Sequence, residues 1–230
     1  MLVLDQKVAL ITGAKGGVGG SVTEAFLRAG ATVIGVSRSI QASDFPHLRF
    51  VAMPAELSSG EAARNLAGDV AAKFQKIDVL VHLVGGFSGG KPVHETDDAT
   101  LEQMLDVNLK SAFFMVRAML PHMRSQGGGR IIAIGSRAAV EPSPLAGVYA
   151  ASKAALVSLI RTIAAENKER GVSANVILSD MIDTPANRKA VPGADYSKWV
   201  QPSQVANLAL SLAWDGLSQV SGAAIPIYGG

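Results

Sequence analysis

The feature that most constrains this 230-residue chain is a short apolar run that ends in a glycine-dense turn. Val8-Ala9-Leu10-Ile11 leads straight into Thr12-Gly13-Ala14-Lys15-Gly16-Gly17-Val18-Gly19-Gly20. A continuous apolar run bounded by glycine suits a strand buried on both faces of a parallel sheet. Beyond the glycines, Ser21 to Ala29 reads as a helix with Gly30 as its stop. The alternation then repeats along the chain. Further strands are expected at Ala31–Val36, Leu48–Met53, Ile77–Val84, Arg130–Gly135, Val172–Leu178 and Ala223–Tyr228. Between them, helices are expected at Ser58–Phe74 with Ser58 as N-cap, and from Ala99 to about Met123, broken near its end by Pro121. Two more are expected at 146–170, closing at Gly171, and at Ser203–Trp214 with Ser203 as cap.

This order implies right-handed βαβ units and an α/β fold: a doubly wound parallel sheet of about seven strands with helices on both faces. Residues 1–230 show no internal repeat, linker or low-complexity tract and read as a single domain. Residues 179–202 break the rhythm, with Pro185, Pro192, Gly193 and Pro202 and few apolar residues. A loop of that length in a compact domain is expected to cover a functional site.

Composition narrows the class. Hydrophobic residues make up 48% and charged ones 17%, which excludes a disordered chain. The formal net charge is +2 and Lys and Arg do not cluster, so neither nucleic acid nor an acidic membrane surface is an expected partner. Cysteine is absent, which removes disulfides and thiolate metal sites. His47, His82, His94 and His122 are scattered without ligand spacing, so no metal is expected. Met1-Leu2-Val3-Leu4-Asp5 is too short an apolar stretch for a signal peptide. No run approaches the roughly 20 apolar residues that span a bilayer. A soluble, cytoplasmic protein is the expectation.

The chemistry starts at Tyr149-Ala150-Ala151-Ser152-Lys153, inside a run without Gly or Pro from Val148 to Arg170. On a helix, residues four apart share a face, so phenol and ammonium would stand side by side. A phenol has an ordinary pKa of about 10, and a neighbouring cation lowers it, which makes the pair an acid/base device. Separately, Gly13, Gly17 and Gly19 let the backbone turn tightly between strand and helix. A helix N-terminus placed there presents N–H groups to a pyrophosphate. At the end of the second strand, Gly35-Val36-Ser37-Arg38-Ser39 has no carboxylate for a ribose 2′-hydroxyl. Ser37 and Arg38 suit a 2′-phosphate instead, with Lys15 adding charge, so NADPH is expected over NADH.

Together these residues resemble the short-chain dehydrogenases/reductases, including 3-oxoacyl-[acyl-carrier-protein] reductase-like members, over essentially the whole chain. Thr12-Gly13-x-x-x-Gly17-x-Gly19 resembles the family's cofactor turn, with Lys15 and Val18 inside it. Tyr149-x-x-x-Lys153 is similar to its catalytic pair, and Ser136, 13 residues earlier, to its catalytic serine. Asn108 in Val107-Asn108-Leu109 matches the helix asparagine that completes the tetrad. The resemblance implies a Rossmann-type fold and hydride transfer to or from a carbonyl or alcohol substrate. Tyr149 would handle the proton, Ser136 hold the carbonyl oxygen, Lys153 lower the tyrosine pKa and bind ribose, and Asn108 hold a relay water. Glu56 and Leu57 would lie on the adenine side, Val84 and Gly85 beside the ribose, and Thr184 against the carboxamide.

Some positions depart from the family pattern. Asn-Asn-Ala-Gly after the fourth strand is replaced by His82-Leu83-Val84-Gly85, where His82 is expected to be structural. Pro-Gly after the sixth strand is replaced by Ser179-Asp180. Arg137 and Phe87-Ser88-Gly89-Gly90-Lys91 are expected to line the site. The resemblance further implies a homotetramer, with a dimer second, built through the two long helices and the last strand. Two function classes stay open: an NADPH-dependent reductase of a ketone or 3-oxoacyl group, and a catalytically silent NAD(P)-binding sensor or scaffold. An isomerase or dehydratase ranks below both.

Overall fold

The computed structural model describes residues 3–230; Met1 and Leu2, part of the stretch read against a signal peptide, lie outside the described residues. Seven strands form one sheet: β1 Val8–Thr12, β2 Thr32–Ser37, β3 Phe50–Pro54, β4 Val79–His82, β5 Gly129–Ser136, β6 Val172–Ser179 and β7 Ala224–Ile227. They are all parallel, in the order β3-β2-β1-β4-β5-β6-β7. The order reverses between β1 and β4, and the crevice beyond the strand ends at such a switch point is where ligands bind in open α/β sheets.

Alternate residues of each strand feed opposite cores, as the two-residue period requires. Val8 and Leu10 of β1 face one cluster, shared with helices α2 Gly60–Phe74, α4 Ser111–Ser125 and α5 Gly147–Asn167. Ala9 and Ile11 face the other, shared with α1 Gly19–Arg28 and α7 Pro202–Ala213. Both faces are therefore covered, which explains why the strands are largely apolar rather than alternating.

Several local expectations need correction. Helix α2 starts one residue later than expected, because Ser59 rather than Ser58 caps it, accepting from the Ala62 amide at 3.1 Å. The α7 cap is a reciprocal Gln201–Gln204 pair rather than Ser203. Pro121 does not break its helix, which runs on to Ser125. Met115, Met119 and Met123 on that helix are completely buried, so packing outweighs the hydrogen bond that proline forfeits. The long helix is instead divided at Asp106–Lys110, a single π turn between α3 Asp98–Leu105 and α4. Such turns interrupt helices mainly at functional sites.

By length and mean hydropathy, 1.3 over its best window, Gly147–Arg170 does meet the measure of a membrane-crossing helix, against the sequence expectation. In the fold its Leu156, Val157 and Ile160 enter the core beside β6. The 179–202 stretch is also less open than its composition suggests. It holds a short helix, α6 Pro185–Ala190, and Ile182 pairs with Val200, both buried.

Candidate active site

The site lies at the C-terminal ends of β1, β4, β5 and β6. The glycine turn follows β1 because only glycine fits there. Gly13 has φ +69°, and a side chain on it would meet the backbone of Leu83 and Val84 at 3.2–3.3 Å. A methyl group on Gly19 would collide with the Gly13 carbonyl oxygen and sit 2.8 Å from Ala14. Gly17 faces Thr184, whose Cβ would lie 2.8 Å from an added methyl. Thr184 is buried, caps α6 by accepting from the Asn187 amide at 3.2 Å, and brings the 179–202 segment down on the turn. The backbone cradle a dinucleotide needs is therefore present, with the N-terminus of α1 opening behind Val18.

At the outer end, the Lys15 amide donates to Ser37 Oγ at 3.2 Å, which joins the turn to the end of β2. The structure adds a residue that sequence spacing did not single out. Asp44 pairs with Lys15 at 2.9 Å, and that bond holds its carboxyl below the ordinary range. Its signal is weak because it comes from a separate 3₁₀ turn, not from the end of β2. Arg38 is exposed and, among the described residues, makes no ion pair. Glu56 is exposed and Leu57 buried just after β3, whose end pairs with Ser37 through Pro54.

The proton-handling residues meet at the other end. Helix α5 carries Tyr149 and Lys153 toward the end of β5, where Tyr149 and Ser136 line the same cleft. Against the expectation that Lys153 lowers it, burial raises the phenol pKa above its ordinary value, and the neighbouring Ser136 hydroxyl, not Lys153, pulls partly the other way. Lys153 is buried, donates to the Ile134 carbonyl at 2.9 Å, and is lowered to about 8 by desolvation. Its ammonium and the Asn108 Oδ1 both stand within 3.1 Å of where a Gly85 side chain would begin. Only glycine lets the chain pass between them.

Asn108 lies in the π turn, fully buried. Its Oδ1 accepts from the Gly86 amide at 2.9 Å; its Nδ2 donates to the Gly86 carbonyl at 3.0 Å and to Ser152 Oγ at 3.1 Å. Ser152, not singled out from the sequence, in turn donates to the Tyr149 carbonyl at 2.7 Å. His82 is structural, as expected. Its Nδ1 lies 3.0 Å from Thr12 Oγ1 and its Nε2 3.2 Å from Ser111 Oγ. Ser111 donates to the Val107 carbonyl at 2.7 Å, so it accepts from Nε2–H, and Thr12 is left to donate to Nδ1. This buried chain ties β1 and β4 to the π turn. Burial first, then the Lys153 charge, lowers the imidazole to about 3 and keeps it neutral.

Beyond Tyr149 opens a cleft of about 600 Å³, lined among others by Phe87, Ser136, Arg137, Asp180 and Met181. Phe87 meets the Tyr149 ring edge-on at 4.9 Å. Arg137 and Phe87 line the cleft as expected, joined by Gly85 and Gly86, whereas Ser88–Lys91 do not. The latter turn away as the Gly90 amide bonds the Leu145 carbonyl at 2.7 Å. A hollow of about 300 Å³ at the N-terminal ends of the strands, opposite the site, has charges that satisfy one another, Lys7 with Asp215 at 2.9 Å and Lys76 with Asp78 at 3.1 Å.

Comparison with known proteins agrees with this fold. The family model described as short chain dehydrogenase matches residues 7–195. The chain is 28% identical to a 3beta-hydroxysteroid dehydrogenase of Mediterraneibacter gnavus, over 97% of this chain and 88% of that protein. It is 29% identical to the 3-oxoacyl-[acyl-carrier-protein] reductase FabG of Thermotoga maritima, over 99% of this chain and 98% of that one. The crystal structure of gox2181 superposes with a TM-score of 0.91 at 26% identity, covering 98% of this chain and 95% of that one. The glycine cradle, the fold and these similarities lead to one conclusion: the chain belongs to the short chain dehydrogenase family and is an NAD(P)-dependent oxidoreductase.

Proposed function

We propose that this protein is an NADPH-dependent reductase of a ketone or 3-oxoacyl carbonyl, acting through Ser136, Tyr149, Lys153 and Asn108. The observation that carries this reading is the convergence of Ser136, Tyr149 and a buried Lys153 at the inner end of one cleft. A bound nicotinamide supplies the hydride. Ser136 orients the carbonyl oxygen by hydrogen bonding, and Tyr149 delivers the proton to it as negative charge develops. Lys153, with a pKa near 8, supplies a cation one turn from the phenol and a donor for the ribose. The Asn108 amide is already committed to Gly86 and Ser152, so its part is to hold the π turn and the Gly85–Gly86 turn in place. A relay water would then bind the main chain of that turn.

Gly13, Val18 and Gly19 would cradle the pyrophosphate, with Gly17 and Thr184 closing over it. Ser37, Arg38 and Lys15 would take the 2′-phosphate, while Glu56, Leu57, Val84 and Gly85 border the adenosine. The Asp44–Lys15 pair reduces what Lys15 adds, so Arg38 carries the preference. Parallel titration with NADPH and NADH tests this. NADPH should bind about 5- to 150-fold more tightly, equivalent to about 1–3 kcal/mol. Equal or tighter NADH binding would count against the Arg38 assignment.

For assembly, the same reading gives a homotetramer, with a dimer second, through α4, α5 and the C-terminal segment. The partly exposed Phe113 on α4 and exposed Val140 beside α5 support it.

A further inference from the structure

The substrate half of the cleft holds one cation besides Lys153, and that cation is already paired. Arg137, directly after Ser136, bonds Glu141 Oε2 through Nε at 2.6 Å and Asp180 Oδ2 through one terminal nitrogen at 3.1 Å. Its guanidinium also stacks on Tyr228, 4.9 Å from the ring centre. Asp180 is held in place because its Oδ1 accepts from the Met181 amide at 2.9 Å. An arginine beside a catalytic serine would ordinarily read as an anchor for a substrate carboxylate. Here two carboxylates bracket it, and this wall carries one net negative charge. Lys153 does not offset that charge at the wall, since its ammonium is bound to the Ile134 carbonyl at the inner end of the cleft. The rest of the mouth is uncharged, with exposed Phe87 edge-on to Tyr149, exposed Met181 next to Asp180, and the polar Ser143, Ser179 and Asn187.

We infer that the cleft takes an uncharged carbonyl compound, and that the Glu141–Arg137–Asp180 cluster excludes carboxylates. This rests on the reductase reading and names the substrate class of the same site. The mechanism is like-charge repulsion near a protein surface, which disfavours a wrong partner and weakens as salt rises.

The test uses matched pairs: 2- and 3-oxo acids against their methyl esters and amides. Oxidation of the reduced cofactor is followed in wild type, Glu141→Gln, Asp180→Asn and the double variant. Calorimetric titration of the cofactor-saturated protein reads binding of the same compounds. Esters and amides should exceed the acids by about tenfold or more in kcat/KM, a modest repulsion for charges half in water. The double variant should narrow that ratio by raising the rate on acids, and so should higher salt in wild type. A gain on acids cannot come from misfolding. If the double variant does not fold, each single variant should narrow the ratio part of the way. Acids preferred by wild type, or a ratio that these substitutions leave unmoved, would overturn the inference while leaving the reductase reading intact. Preferential binding of the ester without turnover of either compound would sink the reductase reading and support this one. Binding of neither member of any pair would overturn it.

Discussion

His82 shows how one residue can be chemically suggestive and structurally spent. Its imidazole sits between Thr12 and Ser111 with both nitrogens used, and at a pKa of about 3 it stays neutral at any physiological pH. The unfolded chain titrates it near its ordinary value of about 6.5. Between about 3 and 6.5 the unfolded state therefore binds more protons, and stability falls as pH drops through that window. His82→Gln should flatten the acid limb of a stability-versus-pH curve relative to wild type, by on the order of a few kcal/mol at its lower end. It should also cost about 1–3 kcal/mol near neutrality, since Ser111 or Thr12 loses a buried partner. Parallel acid limbs in chemical denaturation would contradict the neutral, doubly bonded histidine. Lys153 follows the same sign rule at the other end of the scale. Its ammonium is destabilised by burial, so deprotonation between about 8 and its ordinary 10.5 relieves a cost that the fold otherwise bears.

At the scale of elements, the turn between β1 and α1 is where small changes should have large effects. Gly19→Ala places a methyl group against the Gly13 carbonyl oxygen, so the first turn of α1 must shift away from the cradle. Cofactor affinity should fall by at least about tenfold in titration, while the melting transition stays cooperative, because the core contacts of α1 through Val22 and Phe26 lie further along. Undiminished affinity would show that α1 does not present its N-terminus to the cofactor.

The elements were legible because both sheet faces are covered, which writes most strands as short, largely apolar runs. Caps were less so, since Ser58 and Ser59 offer the same hydroxyl and only backbone direction chooses between them. The π turn at Asp106–Lys110 left no pattern at all. It depends on Asn108 reaching Gly86 and on Ser111 meeting His82, contacts 22 and 29 residues apart in the chain. Asp44 was hidden for the same reason, since its ion pair with Lys15 spans separate loops. Tyr149 and Lys153 could be read directly because helix geometry alone pairs them, whereas Ser136 needed the family spacing.

For the whole molecule, the proposed tetramer would have a mass of about four times the 23.8 kDa chain. Light scattering should return about 95 kDa, against the near-24 kDa of a monomer. A monomer at micromolar concentration would contradict the assembly and leave Phe113 without a cover. Tyr149→Phe removes a single hydroxyl from a ring whose position Phe87 also supports. Turnover of the best carbonyl substrate, measured beside cofactor affinity in the same preparations, should fall by about 10²–10⁴-fold while affinity stays within a few-fold. Turnover that survives the substitution would mean that the proton comes from elsewhere, and that the site is not the reductase centre proposed for it.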